Sequence, residues 1–390
     1  MYIIGEEEVQ AVRRVIQSGQ LFRYRGGEGG ESDKFEAAWS KKIGVEHALA
    51  VTSGTAALIC GLVGMGVGPG DEVIVPGYTF MATALAPLAV GAMPVIAEVD
   101  ESLTIDPADV ERKITSRTKV IIPVHMVGLP CDMDAIMDVA KRHDLKVLED
   151  ACQADGGMYG GRRLGSIGHA GAFSFNHYKI ISCGEGGAMV TSDQQIYERA
   201  LIFHDGGSVF RDRPEALAVP FFAGMNFRIN EILSAILRVQ LSRLDGMLEA
   251  MLAEKRAMMQ ALSGAGDFTF NPIHDVEGDC GTTLALLFDA PEKVRTFLAR
   301  LDERGVRAST PIDSGRHVYT NWEPILEQRG AHHPGLDGYK LVDEPVSYEQ
   351  DMCPQTLSAL ERTVFLYTQP DRSAENLDAE IEKIKDAAAF

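Results

Sequence analysis

Within GHAGAFSFNHYKIISCGEGGAMVT, residues 168–191, Lys179 is the only lysine or arginine. AFSF and AMVT read as two strands joined through a Gly-rich turn, with the lysine between them. Partial desolvation there would make its amine a usable nucleophile. A surface lysine in a loop fits the same letters equally well, so other segments must decide. SGTAAL places Gly54 and Thr55 at a strand-to-helix junction, where backbone N–H groups bind phosphate readily. Asp150 ends the apolar run KVLED, where a buried carboxylate is costly unless a cationic group meets it. Phe80 follows the strand-like DEVIVP. A phosphate cradle, a lysine, a buried aspartate and an aromatic side chain form the set that pyridoxal phosphate requires. The lysine forms an imine with it, the aspartate keeps the pyridine nitrogen protonated, and the aromatic ring covers the cofactor.

Other chemistries lack their residues. No G-x-x-x-x-G-K-[ST] run is present, and the glycines at 64, 66, 68 and 70 miss the dinucleotide spacing because position 69 is proline. No H-x-x-x-H pair occurs, and His332–His333 lies in a polar loop, so no metal site is expected. Glu149 and Asp150 are neighbours on one strand, point to opposite faces, and do not form a converging acid–base pair.

The elements that must position these residues alternate. Strand-like runs at 48–52, 71–76, 93–99, 119–125 and 146–150 are separated by helical patterns at 55–65 and 131–144. Helices are also expected at 6–18 and 33–43. Such a pattern predicts a mostly parallel sheet covered on both faces, with ligands beyond the carboxyl ends of its strands. Residues 229–262 read as a long helix with a weak point near Gly246, and the remainder as a smaller α+β unit. Residues 73–97 carry no charge over 25 positions, but Pro76, Gly77, Pro87, Gly91 and Pro94 break any membrane-spanning helix.

Composition sets the outer bounds. At about 150 residues per domain, 390 residues fit roughly two domains. The net charge of −19 argues against a broad nucleic-acid or anionic-membrane surface. The six cysteines, at 60, 131, 152, 183, 280 and 353, form no Cys-x-x-Cys pair, which fits a reducing compartment. The first ten residues, MYIIGEEEVQ, lack the pattern of a signal peptide, and a cytoplasmic location is expected.

The segments SGTAAL, DEVIVPGYTF, PVHMVGLPCDMDAI, LEDACQA, GAFSFNHYK, GEGGAMVT and MNFRINE, in this order, resemble the sugar aminotransferases of the DegT/DnrJ/EryC1/StrS type. The likeness runs from GEEEVQAV to the C-terminal helix. It implies an α/β, fold-type-I pyridoxal-phosphate transferase: a mostly parallel, seven-stranded sheet flanked by helices, plus a smaller α+β C-terminal domain. The large cofactor domain, with an N-terminal helical arm, would span 1–245 and the small domain 246–390. By the same resemblance Lys179 is the Schiff-base lysine and Asp150 the partner of the pyridine nitrogen. Gln153 stands near the ring hydroxyl, Phe80 stacks on the ring, and Ser174, Thr55 and Gly54 hold the phosphate. Asn226 reaches the phosphate of a neighbouring subunit, which implies a homodimer with shared sites.

The implied reaction is a two-stage transamination from glutamate or glutamine, through the pyridoxamine form of the cofactor, to the keto group of a sugar or sugar-like acceptor. A sister branch replaces the lysine by histidine and dehydrates sugars; Lys179 argues against it. LFRYRGG and RASTPIDSGRHVYTNW depart from the nucleotide-sugar pattern and look most like transaminases making 8-amino-3,8-dideoxy-octulosonate, while a keto-cyclitol acceptor stays open. Arg23 and Arg25 then either meet an acceptor carboxylate or phosphate, or pair with the chain's own acidic residues. Arg228 is expected to fix its loop, His177 to sit at the rim, and Cys152 and Cys183 to be packing residues. His169 stands where the family usually has aspartate.

Overall fold

The computed structural model describes residues 2–24, 29–210 and 217–389. Two helices, α1 (Glu6–Ser18) and α2 (Glu31–Ile43), precede β1 (His47–Val51). Then follow α3 (Gly54–Gly64), β2 (Glu72–Pro76), α4 (Ala82–Ala89), β3 (Met93–Ala97), α5 (Pro107–Lys113), β4 (Thr118–Ile121), α6 (Met133–Arg142) and β5 (Lys146–Asp150). A short hairpin, β6 (Met158–Tyr159) and β7 (Arg162–Arg163), leads to β8 (Ala170–Ser174), β9 (Gly187–Thr191) and α7 (Gln194–His204). The sheet runs in the order β1-β9-β8-β5-β4-β2-β3, with only β9 opposed to its neighbours. The expected mostly parallel, seven-stranded sheet is what forms.

The continuous apolar strands make sense because both faces are covered. Leu49, Val51, Val73, Val75, Val120 and Leu148 enter one core, which also holds Leu58 of α3 and Ile196 of α7. The alternate residues face away: Ala48, Ala50 and Phe173 meet Phe35 of α2 in a second core, and Ile74, Ile121 and Val147 meet Ile136 of α6 in a third. The period of two thus feeds opposite layers, and each strand needs apolar residues at every position. The strand expected at 119–125 stops at Ile121, because Pro123 lacks the N–H to continue the ladder. The uncharged stretch at 73–97 is β2, α4 and β3. Among the described residues no helix is long and apolar enough to cross a membrane.

The long helix α8 (Glu231–Leu262) runs unbroken through Gly246, which has open space beside it, so the expected weak point is absent. Its Leu237, Leu244, Met247 and Met251 pack with α2 and the sheet, whereas Met258 and Leu262 pack with the C-terminal elements. Those elements are β10 (Phe268–Phe270), β11 (Thr283–Phe288), α9 (Pro291–Glu303), β12 (Ala308–Ser309), α10 (Glu323–Leu326), α11 (Pro354–Glu361), β13 (Thr363–Tyr367) and α12 (Ala374–Ala388). The second sheet is antiparallel, in the order β10-β11-β13-β12.

Strand β1 is an edge, and an exposed edge invites wrong pairing. Here Glu36 Oε1 accepts the Ala50 N–H (2.7 Å) and Arg23 donates to the Ala50 carbonyl (2.6 Å), while Arg23 and Glu36 are themselves ion-paired and buried. Arg23 is therefore a strand clamp paired with the chain's own carboxylate, and it does not face a substrate anion. Arg25 lies outside the described residues. His169 has a structural place as well: its Nδ1 accepts the Val147 N–H at 3.0 Å, and burial pushes its pKa below the ordinary imidazole value. Glu36→Ala should leave the buried guanidinium without its carboxylate and lower stability by about 3–5 kcal/mol, read as an earlier urea-unfolding midpoint.

Candidate functional site

Asp150 ends β5, with 3% of its surface exposed. Thr83 of α4 donates its hydroxyl to Asp150 Oδ2 at 2.7 Å, and the Cys152 N–H donates to Oδ1 at 3.1 Å. The Thr79 hydroxyl lies 2.8 Å from that of Thr83 and donates to it, since Thr83 spends its own proton on the carboxylate. Among the described residues Asp150 has no ion-pair partner. A carboxylate so placed is fixed in direction and still lacks a cation, which is the condition a protonated ring nitrogen would satisfy. Glu149 points the other way. It accepts the N–H groups of Gly165, Ile167 and Gly168 at 2.6–2.8 Å and meets His125 Nε2 at 3.1 Å. The Cys131 N–H occupies His125 Nδ1, so the ring proton sits on Nε2 and points at Glu149.

Asp150 faces a cavity of about 220 Å³. Lys179 lines it from a loop that the Phe175 backbone ties at both ends: the Phe175 N–H donates to Gly186 O (2.8 Å), and the Cys183 N–H donates to Phe175 O (3.1 Å). At the far end, Ser53 caps α3 by accepting the Ala56 N–H at 3.1 Å. The Gly54 and Thr55 N–H groups are left for a ligand. A Cβ on Gly54 would lie 2.7 Å from Ser174 Cβ and 2.9 Å from Cys152 Sγ, so glycine is what lets the helix end approach Ser174. The donor set therefore suits a phosphate at one end and a ring nitrogen at the other, with an amine between.

Phe80 lines the same cavity and is 40% exposed. A loop of the C-terminal region docks on its backbone: the Thr79 N–H donates to His317 O (2.9 Å) and the Met81 N–H to Arg316 O (3.0 Å). His317 thereby lies against Phe80, ring centroids 5.5 Å apart. Burial first, and then the charge of Lys179, hold its pKa below the ordinary imidazole value, against the pull of the Ser314 carbonyl. With Nδ1 against Ser314 O at 3.3 Å, the neutral ring keeps Nε2 as an acceptor. Gln153 also lines the cavity, and its Oε1 accepts the Val127 N–H at 3.3 Å. Val127 sits at φ 48°, a costly conformation for a β-branched residue, and Thr282 holds its carbonyl at 2.5 Å.

Gly54, Thr55, Phe80, Asp150, Gln153, Ser174 and Lys179 thus converge on one cavity. Asn226 does not: it is exposed, outside the cavity lining, with Oδ1 accepting the Arg228 N–H at 3.3 Å. Arg228 fixes its loop through Asp205 at 2.7 Å, and His177 is exposed. Thr83 and His317 were not singled out in the sequence. Thr83 had a signal, being the only polar residue in the helix ATALAPLA, where a lone hydroxyl must find a partner. His317 had none, since its placement depends on a distant loop.

A model of the DegT/DnrJ/EryC1/StrS aminotransferase family matches residues 2–322. The chain is similar to a 3-amino-5-hydroxybenzoate synthase of Amycolatopsis mediterranei, 34% identical over 392 residues, covering 98% of this chain and 95% of that protein. It is also similar to a dTDP-3-amino-3,4,6-trideoxy-alpha-D-glucose transaminase of Streptomyces venezuelae, 41% identical over 261 residues, 66% of each protein. A solved structure of 3-amino-5-hydroxybenzoic acid synthase matches with a TM-score of 0.82 and 31% identity, over 100% of this chain and 98% of that one.

Thr83→Val removes one hydrogen bond to the carboxylate, a loss of about 1.5–3 kcal/mol. Binding of pyridoxal phosphate, followed by fluorescence titration, should weaken roughly ten- to a hundredfold; an unchanged affinity would mean that Thr83 does not orient Asp150.

Proposed function

The chain belongs to the DegT/DnrJ/EryC1/StrS aminotransferase family and is a pyridoxal-phosphate-dependent aminotransferase, and from that premise we propose that it moves an amino group from glutamate or glutamine to the keto group of a sugar or sugar-like acceptor. The observation that carries this reading is that Lys179 and Asp150 line one cavity that ends at the α3 N-terminus. When bound, pyridoxal phosphate supplies the electron sink that makes a proton at an amino acid's Cα removable.

The chain's own residues then divide the work. Gly54 and Thr55 N–H groups and the Ser174 hydroxyl hold the phosphate. Asp150, kept in line by Thr83 and the Cys152 N–H, holds a proton on the ring nitrogen. Phe80 would cover one face of the ring, and Gln153 would stand beside the ring hydroxyl, both being on the cavity wall. Lys179 Nζ would hold the cofactor through its amine and is the group placed to act as general base toward a donor's Cα proton. His317 supports Phe80 from outside that lining, with ring centroids 5.5 Å apart.

Asn226 belongs to the site of a second copy of this chain. Phe22, Phe210 and Met225 support this, since all are about half-exposed large apolar side chains in the Asn226 neighbourhood: Phe22 and Phe210 both face Arg228, and Met225 precedes Asn226. The acceptor we favour is a 3-deoxy-octulosonate oxidised to an aldehyde at C8. The second reading, a carbocyclic keto-cyclitol, rests on a relative matched over 98% of the chain, whose name refers to an amino-hydroxybenzoate and not to a sugar.

Lys179→Ala should abolish the visible absorbance of the lysine-bound cofactor and all multiple turnover; retained turnover would refute the proposal. The acceptor is read by loading the enzyme with an amino group and following return of that absorbance with the C8 aldehyde of a 3-deoxy-octulosonate, nucleotide keto-sugars and keto-cyclitols. Return with the octulosonate alone is expected, and return with a keto-cyclitol alone selects the second reading.

A further inference from the structure

Beyond Pro123 the chain turns through Met126, Val127 and Gly128, with Val127 at φ 48° and Gly128 at φ 83°. Glycine takes such an angle freely. A β-branched residue does not, so Val127 keeps it only because its surroundings impose it. The clamp comes from Cys280 and Thr282, in the segment that leads into β11. The Thr282 hydroxyl donates to the Val127 carbonyl at 2.5 Å, and the Cys280 N–H donates to the Gly128 carbonyl at 3.1 Å. A Cβ on Gly128 would lie 2.8 Å from both Thr282 Oγ1 and Cys280 Cβ, so glycine lets the C-terminal segment press against the turn.

This turn reaches the cavity through one bond. The Val127 N–H donates to Gln153 Oε1 at 3.3 Å. A backbone N–H can only donate, so the Gln153 amide must turn its oxygen toward Val127. The –NH2 end is left for the cavity that Gln153 lines, and it makes no hydrogen bond among the described residues. The two ends of the amide have opposite consequences there: the –NH2 donates to an anionic oxygen, whereas the carbonyl repels one. His125, beside the turn, has both ring nitrogens engaged, by Glu149 and the Cys131 N–H. The titratable groups that line the cavity with Gln153 are Asp150, Cys152, Lys179 and Glu185.

We propose that Val127 and Thr282 are positioning residues: clamped by Thr282, the left-handed Val127 turn fixes the Gln153 amide with its –NH2 toward the ring hydroxyl of the cofactor. This rests on the aminotransferase reading above and deepens it. A donor on the ring oxygen draws on the negative charge that would otherwise hold the proton of the lysine-bound nitrogen. That nitrogen therefore gives up its proton at a lower pH than it would without the donor. With the clamp gone, Val127 relaxes toward negative φ, its N–H swings away from Gln153, and the amide is free to turn. A residue of the C-terminal region thus sets a property of the cofactor that it does not touch, since Thr282 lies outside the cavity lining.

The test reads the pH midpoint of the visible absorbance of protein loaded with pyridoxal phosphate, with no amino donor present. Gln153→Leu should raise the midpoint by about one pH unit, the effect of one hydrogen bond to a charged oxygen. Thr282→Val should raise it too; Thr282→Ala, which also lacks the hydroxyl, replaces it if that variant does not fold. Adding Val127→Gly to the Thr282 variant should bring the midpoint back, because glycine holds φ 48° without the clamp. Gln153→Leu combined with the Thr282 variant should match Gln153→Leu alone, since both act on one hydrogen bond. An unmoved midpoint in Gln153→Leu or in the Thr282 variant, a shift that Val127→Gly does not reverse, or shifts that add would each overturn the proposal and leave the aminotransferase reading intact. Absence of the visible absorbance from the unmodified, loaded protein would refute that reading, and this proposal with it.

Discussion

A carboxylate kept out of water must be held, and Asp150 is held on two sides but meets no cation among the described residues. That single unmet demand organises the site. Satisfying it requires β5 to end inside the protein, which requires parallel neighbours on both sides and apolar layers above and below. It also requires Thr83 on α4 to turn its hydroxyl inward, and Thr79 to support it. Strand alternation then sends Glu149 to the opposite face, where three backbone N–H groups and His125 make it a structural anchor for the turn leading into β8. Two adjacent acidic residues thus acquire unrelated roles from geometry alone.

The other parts of the site depend on how close two backbones may come. Gly54 brings the α3 N-terminus against Ser174 and Cys152, and a Cβ on Gly187 would lie 2.4 Å from the Ser53 backbone. These two approaches bring the end of β1, the start of β9 and the end of β8 to one point. The clamp of Arg23 and Glu36 on Ala50 keeps β1 in place at the sheet's free edge. A cofactor cradle is therefore built largely from backbone, which explains how a chain of net charge −19 can provide for a phosphate without a basic surface.

Most of the large sheet was legible because apolar runs and Gly or Pro punctuation are local signals. Helix 6–18 and strand 146–150 match the structure residue for residue. Asp150 was legible because it ends a recognisable strand, Gly54 because it sits at a strand-to-helix junction, and Lys179 because it is the one basic residue in the loop between two strand-like runs. What escaped depends on partners distant in sequence. Thr83 meets a carboxylate 67 residues away, and His317 reaches Phe80 only because the loop at 315–319 docks on residues 77–81. Arg23 was ambiguous because a guanidinium matches a substrate anion or a glutamate equally well until burial decides.

The central claim is that Lys179, and no other lysine, carries the cofactor. Borohydride reduction of the protein loaded with pyridoxal phosphate, followed by peptide mass mapping, addresses it directly. The account predicts one phosphopyridoxyl adduct, on the peptide containing Lys179. An adduct confined to a different lysine, or none in a protein that has bound the cofactor, would contradict it.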